Sequence, residues 1–392
     1  MAKRILVLNE RDLHNPLAGG AEVHTFEIFG RLVERGHDVT LLAASYRGCK
    51  SEETVEGVRV RRLANRYAYY ALAPFAARRA ITAQHHDVIV DVLCKLPFLS
   101  PWFVGVPCVG IVHHLFGDTA FKQVSLPVAL VTYLSEKLIP YAYRNAPLVA
   151  VSPSTAHDLV VRGLDVNAIS IVPNGIDHQL YSPAPAAPDP ASDGPLVVWL
   201  GRLEPYKRVD LLLHAIVAAR ERVPGLRAAV IGTGSALDEM RGLASRLGLD
   251  GCVEFPGHVA ADEKVDLLRR AHVLVNTSEK EGWGLTVLEG NACGAITIAS
   301  DVPGLCDSVR DGCTGILIEH GNIERLTTEL VRVLTDTTLR ERLRAGAIEW
   351  AGRFTWDRAA DDIERIIDAT VAGATPTAAR VISPVFADRA RD

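Results

Sequence analysis

Apolar residues come in short runs along this chain, and between the runs they return at helical spacing. Runs at 5–8, 39–43, 58–62, 88–91, 108–112, 148–151 and 169–172 read as strands. Helical stretches separate most of them, the first from about 21 to 35. Strands that alternate with helices predict a parallel sheet covered on both faces. Residues 181–195 break the pattern with five prolines and no periodicity, so they read as a linker. The alternation then resumes, with strands expected at 196–200, 228–231, 253–255, 273–275, 295–299 and 315–318. Residues 322–351 read as helical. The pattern predicts two doubly wound α/β domains, 1–180 and 196–355, then a last helix over 356–372. The tail, 373–392, reads as flexible, with 381–386 apolar enough to dock. Ligands of such sheets bind beyond the C-terminal ends of the strands.

Composition narrows the class. A chain of 392 residues can build two cores, and 48% hydrophobic with 23% charged residues is a soluble globular balance. A net charge of −5 gives no support for a nucleic-acid partner. The first apolar run stops at Leu8, which suits a strand better than a signal peptide, and no run reaches membrane-spanning length. Seven cysteines without a Cys-x-x-Cys pair point to reduced thiols and a cytoplasmic protein.

The densest chemistry lies in 276–293, Asn-Thr-Ser-Glu-Lys-Glu-Gly-Trp-Gly-Leu-Thr-Val-Leu-Glu-Gly-Asn-Ala-Cys. A strand leads into a turn at Gly282 and Gly284, and a helix follows from Leu285. Such a helix start offers free backbone N–H groups to an anion. Glu281 and Glu289 frame the turn. Carboxylates repel a diphosphate but accept hydrogen bonds from sugar hydroxyls well. The stretch therefore suits a nucleotide sugar, with phosphates on the helix start and hydroxyls on the glutamates.

Other candidates are weaker alone. Arg202 and Lys207 share a loop after the strand at 196–200. They offer a planar fork and a point charge to phosphate oxygens, although such cations often sit on plain surface. Gly19-Gly20 precedes a helix, and Gly232-Thr233-Gly234-Ser235 follows a strand. Each reads as a phosphate-approach loop or as a tight turn. His113 and His114 end the strand at 108–112, where an imidazole faces the ligand crevice. No third ligand stands at motif spacing, so zinc is rejected. One core and one surface histidine is the plainer alternative. Ser154 is the expected cap of the helix from 155. Residues 66–80 and 121–144 mix aromatic, basic and apolar side chains. They fit an acceptor rim, a membrane surface or ordinary amphipathic helices packed on the sheet.

The segment Glu-Gly-Trp-Gly-Leu-Thr-Val-Leu-Glu, 281–289, resembles the paired-glutamate motif of retaining nucleotide-sugar glycosyltransferases of family 4, or group 1. These adopt the GT-B fold. The resemblance runs over about 4–370 and takes in Gly19-Gly20, His113, the Val-Pro-Asn-Gly-Ile-Asp of 172–177, Arg202 and Lys207. It implies two Rossmann-like domains facing across a deep cleft, with the terminal helix packed back on the first. The donor is then expected mostly on the C-terminal domain and the acceptor mostly on the N-terminal one. Gly19 and Gly20 would close over the donor diphosphate or the acceptor, and His113 would contact the transferred sugar near its C6 hydroxyl. Arg202 and Lys207 would bind the diphosphate, helped by amides at Gly284, Leu285 and Thr286. Gly234 would line the nucleotide side, and backbone near Val259 would hold the base. Glu281 would hold a hexose hydroxyl and Glu289 the ribose. The chain departs from the family with His114 where Asp is frequent and Trp283 where Phe is common.

The resemblance implies transfer of a hexose of glucose or mannose type from a UDP- or GDP-sugar. The acceptor would be a hydroxyl of a lipid carrier, a glycan or a small metabolite. Transfer would retain anomeric configuration by a front-face reaction without metal or other cofactor, and no Asp-x-Asp pair stands beside the site. Peripheral contact with the inner membrane face would fit members that glycosylate lipid carriers. A non-catalytic nucleotide-sugar-binding protein and an epimerase of the same fold stay open as alternatives. A dinucleotide-dependent dehydrogenase fits poorly, because the first strand is not followed by Gly-x-Gly-x-x-Gly.

Overall fold

The computed structural model describes residues 1–123, 125–184, 194–377 and 380–381. Most of the expected linker and residues 382–386 of the docking stretch lie outside the described residues. The chain divides into two compact units, Met1–Gly175 with Trp356–Asp392, and Ile176–Thr355.

The N-terminal unit holds an eight-stranded sheet in the order β3-β4-β2-β1-β5-β6-β7-β8. Its strands are β1 Arg4–Leu8, β2 Asp38–Ser45, β3 Glu52–Val55, β4 Val58–Asn65, β5 Val88–Leu93, β6 Cys108–Val112, β7 Leu148–Ala150 and β8 Ile169–Ile171. The central strands are buried along their whole length, β5 and β6 without exception. That is why they read as continuous apolar runs. β3 departs from the expected parallel sheet. It pairs antiparallel with β4 through a two-residue turn, Glu56-Gly57, in which both residues have positive φ (45° and 77°). Its sequence, Glu-Glu-Thr-Val, is mostly polar because it is an edge strand, so no apolar run announced it.

The helix Gly20–Glu34 buries Phe26, Ile28, Phe29 and Leu32. The last helix, Trp356–Val371, packs on it, with Arg31 bonded to Asp357 at 2.7 Å and Arg35 to Glu364 at 2.6 Å. Helix Pro153–Val161 is capped by Ser152 rather than the expected Ser154. The Ser152 hydroxyl accepts from the Thr155 N–H at 3.1 Å, and Pro153 occupies the first helical position. At the far edge, the Ile171 N–H of β8 donates to the Val381 carbonyl at 2.9 Å.

The C-terminal unit holds a six-stranded, wholly parallel sheet in the order β11-β10-β9-β12-β13-β14. These are β9 Leu196–Leu200, β10 Arg227–Ile231, β11 Val253–Gly257, β12 Val273–Asn276, β13 Ile296–Ser300 and β14 Gly315–Ile318. The helical run over 322–351 is two helices, Ile323–Thr335 and Thr337–Ala351. Asp336 ends the first and caps the second, accepting from the Leu339 N–H at 2.9 Å.

Both sheets reverse their strand order once, between β1 and β5 and between β9 and β12. Loops that leave such neighbours diverge and open a crevice at the C-terminal end of the sheet. In the N-terminal unit the loop after β1 is fixed by a buried fork. Arg62 of β4 donates to both carboxylate oxygens of Asp12, at 2.7 and 2.9 Å, and both side chains are fully buried. A third bond runs from Arg62 to Glu53 of β3 at 3.0 Å. Removing one partner strands a charge out of water. Asp12→Ala should cost about 3–5 kcal/mol, read as a lower urea midpoint. The double variant Asp12→Ala/Arg62→Met should recover most of that loss.

Candidate active site

At the C-terminal switch point the two diverging loops are tied together. The loop after β9 ends in a short 3₁₀ turn, Pro205–Lys207, and Arg208 then takes a left-handed conformation (φ 51°) before helix Val209–Arg222. The loop after β12 returns alongside it. The Glu279 N–H donates to the Tyr206 carbonyl at 2.9 Å, and the Thr277 hydroxyl to the Lys207 carbonyl at 3.0 Å. Lys207 Nζ then meets Glu281 Oε1 in an ion pair whose side chains keep only 14% and 16% of their exposure. Burial opposes the charge of Lys207, but the Glu281 carboxylate outweighs it and holds the ammonium above the ordinary lysine value. Burial likewise opposes ionisation of Glu281. Lys207, with hydrogen bonds from Ser278 and Asn276, outweighs it and holds the carboxyl below its ordinary value. The pair is therefore charged on both sides at neutral pH. Arg202 is exposed and makes no ion pair among the described residues, yet its charge is felt at Lys207.

Gly284, at φ 87°, starts helix Leu285–Cys293. A Cβ there would stand 2.9 Å from the Ser308 hydroxyl, so backbone conformation and space both call for glycine. The Gly284 carbonyl accepts from the Val287 and Leu288 amides. The Leu285 and Thr286 amides lie ahead of these, at the helix start, and are unclaimed among the described residues. Trp283 is buried edge-on against Phe354, with ring centroids 5.1 Å apart, so it packs the turn.

Glu289 lies inside that helix and is 8% exposed. Its Oε1 accepts from the Tyr181 hydroxyl at 3.0 Å and from Lys264 Nζ at 3.1 Å. Both bonds fall on one oxygen, and Oε2 takes none among the described residues. Tyr181 and Lys264 escaped the sequence reading. They lie far from Glu289 along the chain, and neither carries a motif.

Gly234 and Val259 lie further along the same sheet end. A Cβ on Gly234 would come within 2.3 Å of the Leu203 carbonyl oxygen. Backbone crowding against the Arg202 loop therefore accounts for this glycine. Val259 is buried just after β11, where the Gly257 carbonyl accepts from the Gly232 N–H at 2.8 Å.

In the N-terminal unit, Gly19 caps helix Gly20–Glu34 in extended conformation, and its N–H donates to the Glu22 carboxylate at 2.6 Å. His113 follows β6 directly and is buried, whereas His114 is half-buried with its ring 4.8 Å from Phe116. His113 meets a second imidazole, His24, edge-on at 4.7 Å between ring centroids. His24 lies one turn into the helix that starts at Gly20, and its far side meets Trp356 at 6.0 Å. Neither His24 nitrogen nor Nε2 of His113 has a hydrogen-bond partner among the described residues. Burial pushes His24 down to about 4, and burial with His24 and His114 nearby pushes His113 well below its ordinary value. Both rings are neutral at physiological pH. His24 is absent from the sequence candidates, because a lone histidine on a helix gives no signal. Among the described residues, no group of three or more His, Cys, Asp or Glu could hold a metal ion.

Two Rossmann-like units, each with polar loops at its switch point, define the GT-B class. The chain superposes on sucrose-phosphate synthase of Thermosynechococcus elongatus with a TM-score of 0.78 at 20% identity, covering 95% of this chain and all of that one. It superposes on Anabaena HepE, solved with UDP and glucose, with a TM-score of 0.75 at 21% identity, covering 94% and 100%. Residues 18–180 match Glycosyltransferase Family 4, and residues 184–350 match Glycosyl transferases group 1. A D-inositol 3-phosphate glycosyltransferase of Streptomyces bingchenggensis is 30% identical over 396 residues, covering 91% of this chain and 86% of that protein. A protein of the same description from Salinispora arenicola is 29% identical, covering 95% and 92%. The chain belongs to these GT-B glycosyltransferases of the group 1 and family 4 type, which transfer a sugar from a nucleotide-sugar donor to an acceptor.

The histidine pair gives an acid signature. Unfolded histidine takes its proton near 6.5, whereas folded His24 takes it only at about 4. Between these values the unfolded chain holds a proton that the folded chain lacks, so stability falls as pH drops through that window. The loss is about 1.4 kcal/mol per pH unit for each such histidine, and His113 adds in the same direction. His24→Phe should flatten the decline in urea midpoints measured from neutral pH to the acid end of the window. An equal decline in the variant would place the acid sensitivity elsewhere.

Proposed function

We propose that this chain is a retaining hexosyltransferase that moves a sugar of glucose or mannose type from a UDP- or GDP-sugar to an acceptor hydroxyl, by a front-face reaction. The observation that carries the reading is the grouping at the C-terminal switch point. A charged Lys207–Glu281 pair, an exposed Arg202, two unclaimed helix-start amides and a half-satisfied Glu289 surround one turn. Cations and amides suit a diphosphate, and carboxylate oxygens suit hydroxyls. Glu289 Oε2 takes the ribose, and Glu281 takes a hexose hydroxyl. Val259 and its neighbours bring backbone groups to the base.

In the reaction, the bond from the anomeric carbon to the donor phosphate breaks. A bond from the acceptor oxygen forms on the same face, and the acceptor proton passes to the departing phosphate oxygen. Negative charge grows on that phosphate, where Arg202, Lys207 and the Leu285 and Thr286 amides stabilise it. Glu281 is already neutralised by Lys207, which supports a positioning role over that of a covalent nucleophile. In the N-terminal unit, His113 is the group we assign to a sugar hydroxyl, and Gly19-Gly20 lets backbone approach the substrate closely. The curated relatives are described as acting on D-inositol 3-phosphate, which supports a small polyol phosphate among the acceptors to test. We place the chain in the cytoplasm, a reading that rests on seven cysteines without a Cys-x-x-Cys pair in the sequence.

Calorimetry with UDP and with GDP, without added metal, tests the donor half. Binding of one nucleotide, weakened about tenfold by Glu289→Gln, is the expected result. Lys207→Ala should lower kcat by about 10²–10³-fold in transfer assays with the matching sugar nucleotide. Nucleotide binding with no transfer to any acceptor would favour a non-catalytic binding protein. Interconversion of free sugar nucleotides would favour an epimerase.

A further inference from the structure

The described residues expose 17 large hydrophobic side chains, and every one lies between Met1 and Val166, in the N-terminal unit. Eight of them fall within residues 121–141. The centre of this surface is helix Leu126–Glu136, which runs on through Lys137 and Leu138 into helix Ile139–Ala142. Its inward stripe is Ala129, Thr132, Glu136 and Ile139, all buried. Its outward face carries Leu126, Leu130, Val131, Leu134, Leu138 and Tyr141. Leu126 keeps 70% of its exposure and Leu134 keeps 51%. A surface helix of a soluble domain normally turns polar residues outward. Along helix Leu126–Glu136 the leucines face water, whereas the buried residues are Ala129, Thr132 and Glu136.

Charge says what this face is built for. Between Thr119 and His157 the one acidic residue is Glu136, while Lys122, Lys137 and Arg144 are basic. Glu136 is withdrawn from the surface, where it accepts from the Phe116 and Gly117 amides and pairs with Arg162. Lys137 and Arg144 are exposed. Helix Arg66–Ala83 repeats the composition. It carries three arginines, Arg66, Arg78 and Arg79, and no Asp or Glu. Arg66, Arg78 and Arg79 are exposed there beside Tyr67 and Phe75. The two helical regions lie over the same face of the sheet, because Tyr69, Ala73 and Ala77 share one core cluster with Ile139, Ala142 and Tyr143.

We propose that this face docks on an anionic lipid bilayer, with the Leu126–Tyr141 stripe entering the interface and the flanking cations meeting lipid headgroups. Apolar side chains ringed by Lys and Arg, with carboxylates withdrawn, match a surface whose interior is hydrocarbon and whose headgroups are negative. A second copy of the chain would instead set these cations against each other. Among the described residues, no helix is long and apolar enough to cross a membrane, so the contact is peripheral. It does not depend on which sugar is transferred.

Flotation of the full chain with vesicles tests this, using phosphatidylcholine alone and an equal mixture with phosphatidylglycerol. The protein should float with the anionic vesicles, and added salt should weaken binding. Leu130→Glu/Leu134→Glu should lower vesicle affinity by on the order of a hundredfold. Lys137→Glu/Arg144→Glu should lower it by at least about tenfold on anionic vesicles only. Both pairs are exposed, so thermal melts matching the parent would show the variants folded. Failure of the parent chain to float with anionic vesicles at low salt would overturn the proposal, as would unchanged flotation of the leucine variant. A parent dimer that the leucine variant dissociates, with no vesicle binding, would make the face a contact between copies and would equally overturn it.

Discussion

The candidate site rests on the ion pair between Lys207 and Glu281. The strands that deliver these residues, β9 and β12, are hydrogen-bonded neighbours, but their following loops belong to connections that run in opposite directions. Without a cross-tie the loops would be free to part. The pair closes them, and the backbone bond from Glu279 to Tyr206 and the Thr277 bond to Lys207 fix the register of that closure. Because both charges are largely out of water, each requires the other to remain ionised. The turn at Gly282–Gly284 hangs from the same loop, so the position of the helix-start amides follows from the pair. The Glu281 N–H also donates to the Pro303 carbonyl at 3.1 Å, which ties the loop after β13 into the arrangement.

The corresponding end of the N-terminal unit uses a different economy. Its buried imidazoles, His24 and His113, are neutral, and both nitrogens of His24 and Nε2 of His113 lack hydrogen-bond partners among the described residues. Unsatisfied buried polar atoms destabilise a fold, and a bound hydroxyl can relieve that cost. The C-terminal unit instead presents a mutually compensated ion pair, Lys207–Glu281, beside an exposed Arg202. The N-terminal unit presents neutral imidazoles, a group that can donate to or accept from a hydroxyl without imposing a charge. The two unit surfaces differ in the same way, since exposed large apolar side chains gather on the N-terminal unit.

Much of this was legible in the sequence because buried parallel strands must be continuously apolar. Every strand with that property was located, in both units, and the paired glutamates stood out through their spacing around two glycines. What stayed hidden had no local pattern. β3 is an edge strand whose burial is slight, so selection for hydrophobicity was weak there. Ser152 and Ser154 both stand before the helix, and only the geometry of Pro153 at its first position settles which one caps it. Tyr181, Lys264 and His24 become partners of site residues through the fold alone, across sequence separations of 108, 25 and 89 positions in turn.

The glycines show most sharply why motif and mechanism must be separated. Gly284 and Gly234 read alike in the sequence, each closing a strand and opening a helix. In the fold, Gly284 sits at φ 87° with helix-start amides beyond it, whereas Gly234 lacks a side chain because the Leu203 carbonyl occupies that space. The first glycine shapes the turn that opens the helix. The second leaves room for the backbone of the loop that carries Arg202. The space around the Cβ thus separates a glycine required by its φ from one required by a close backbone approach.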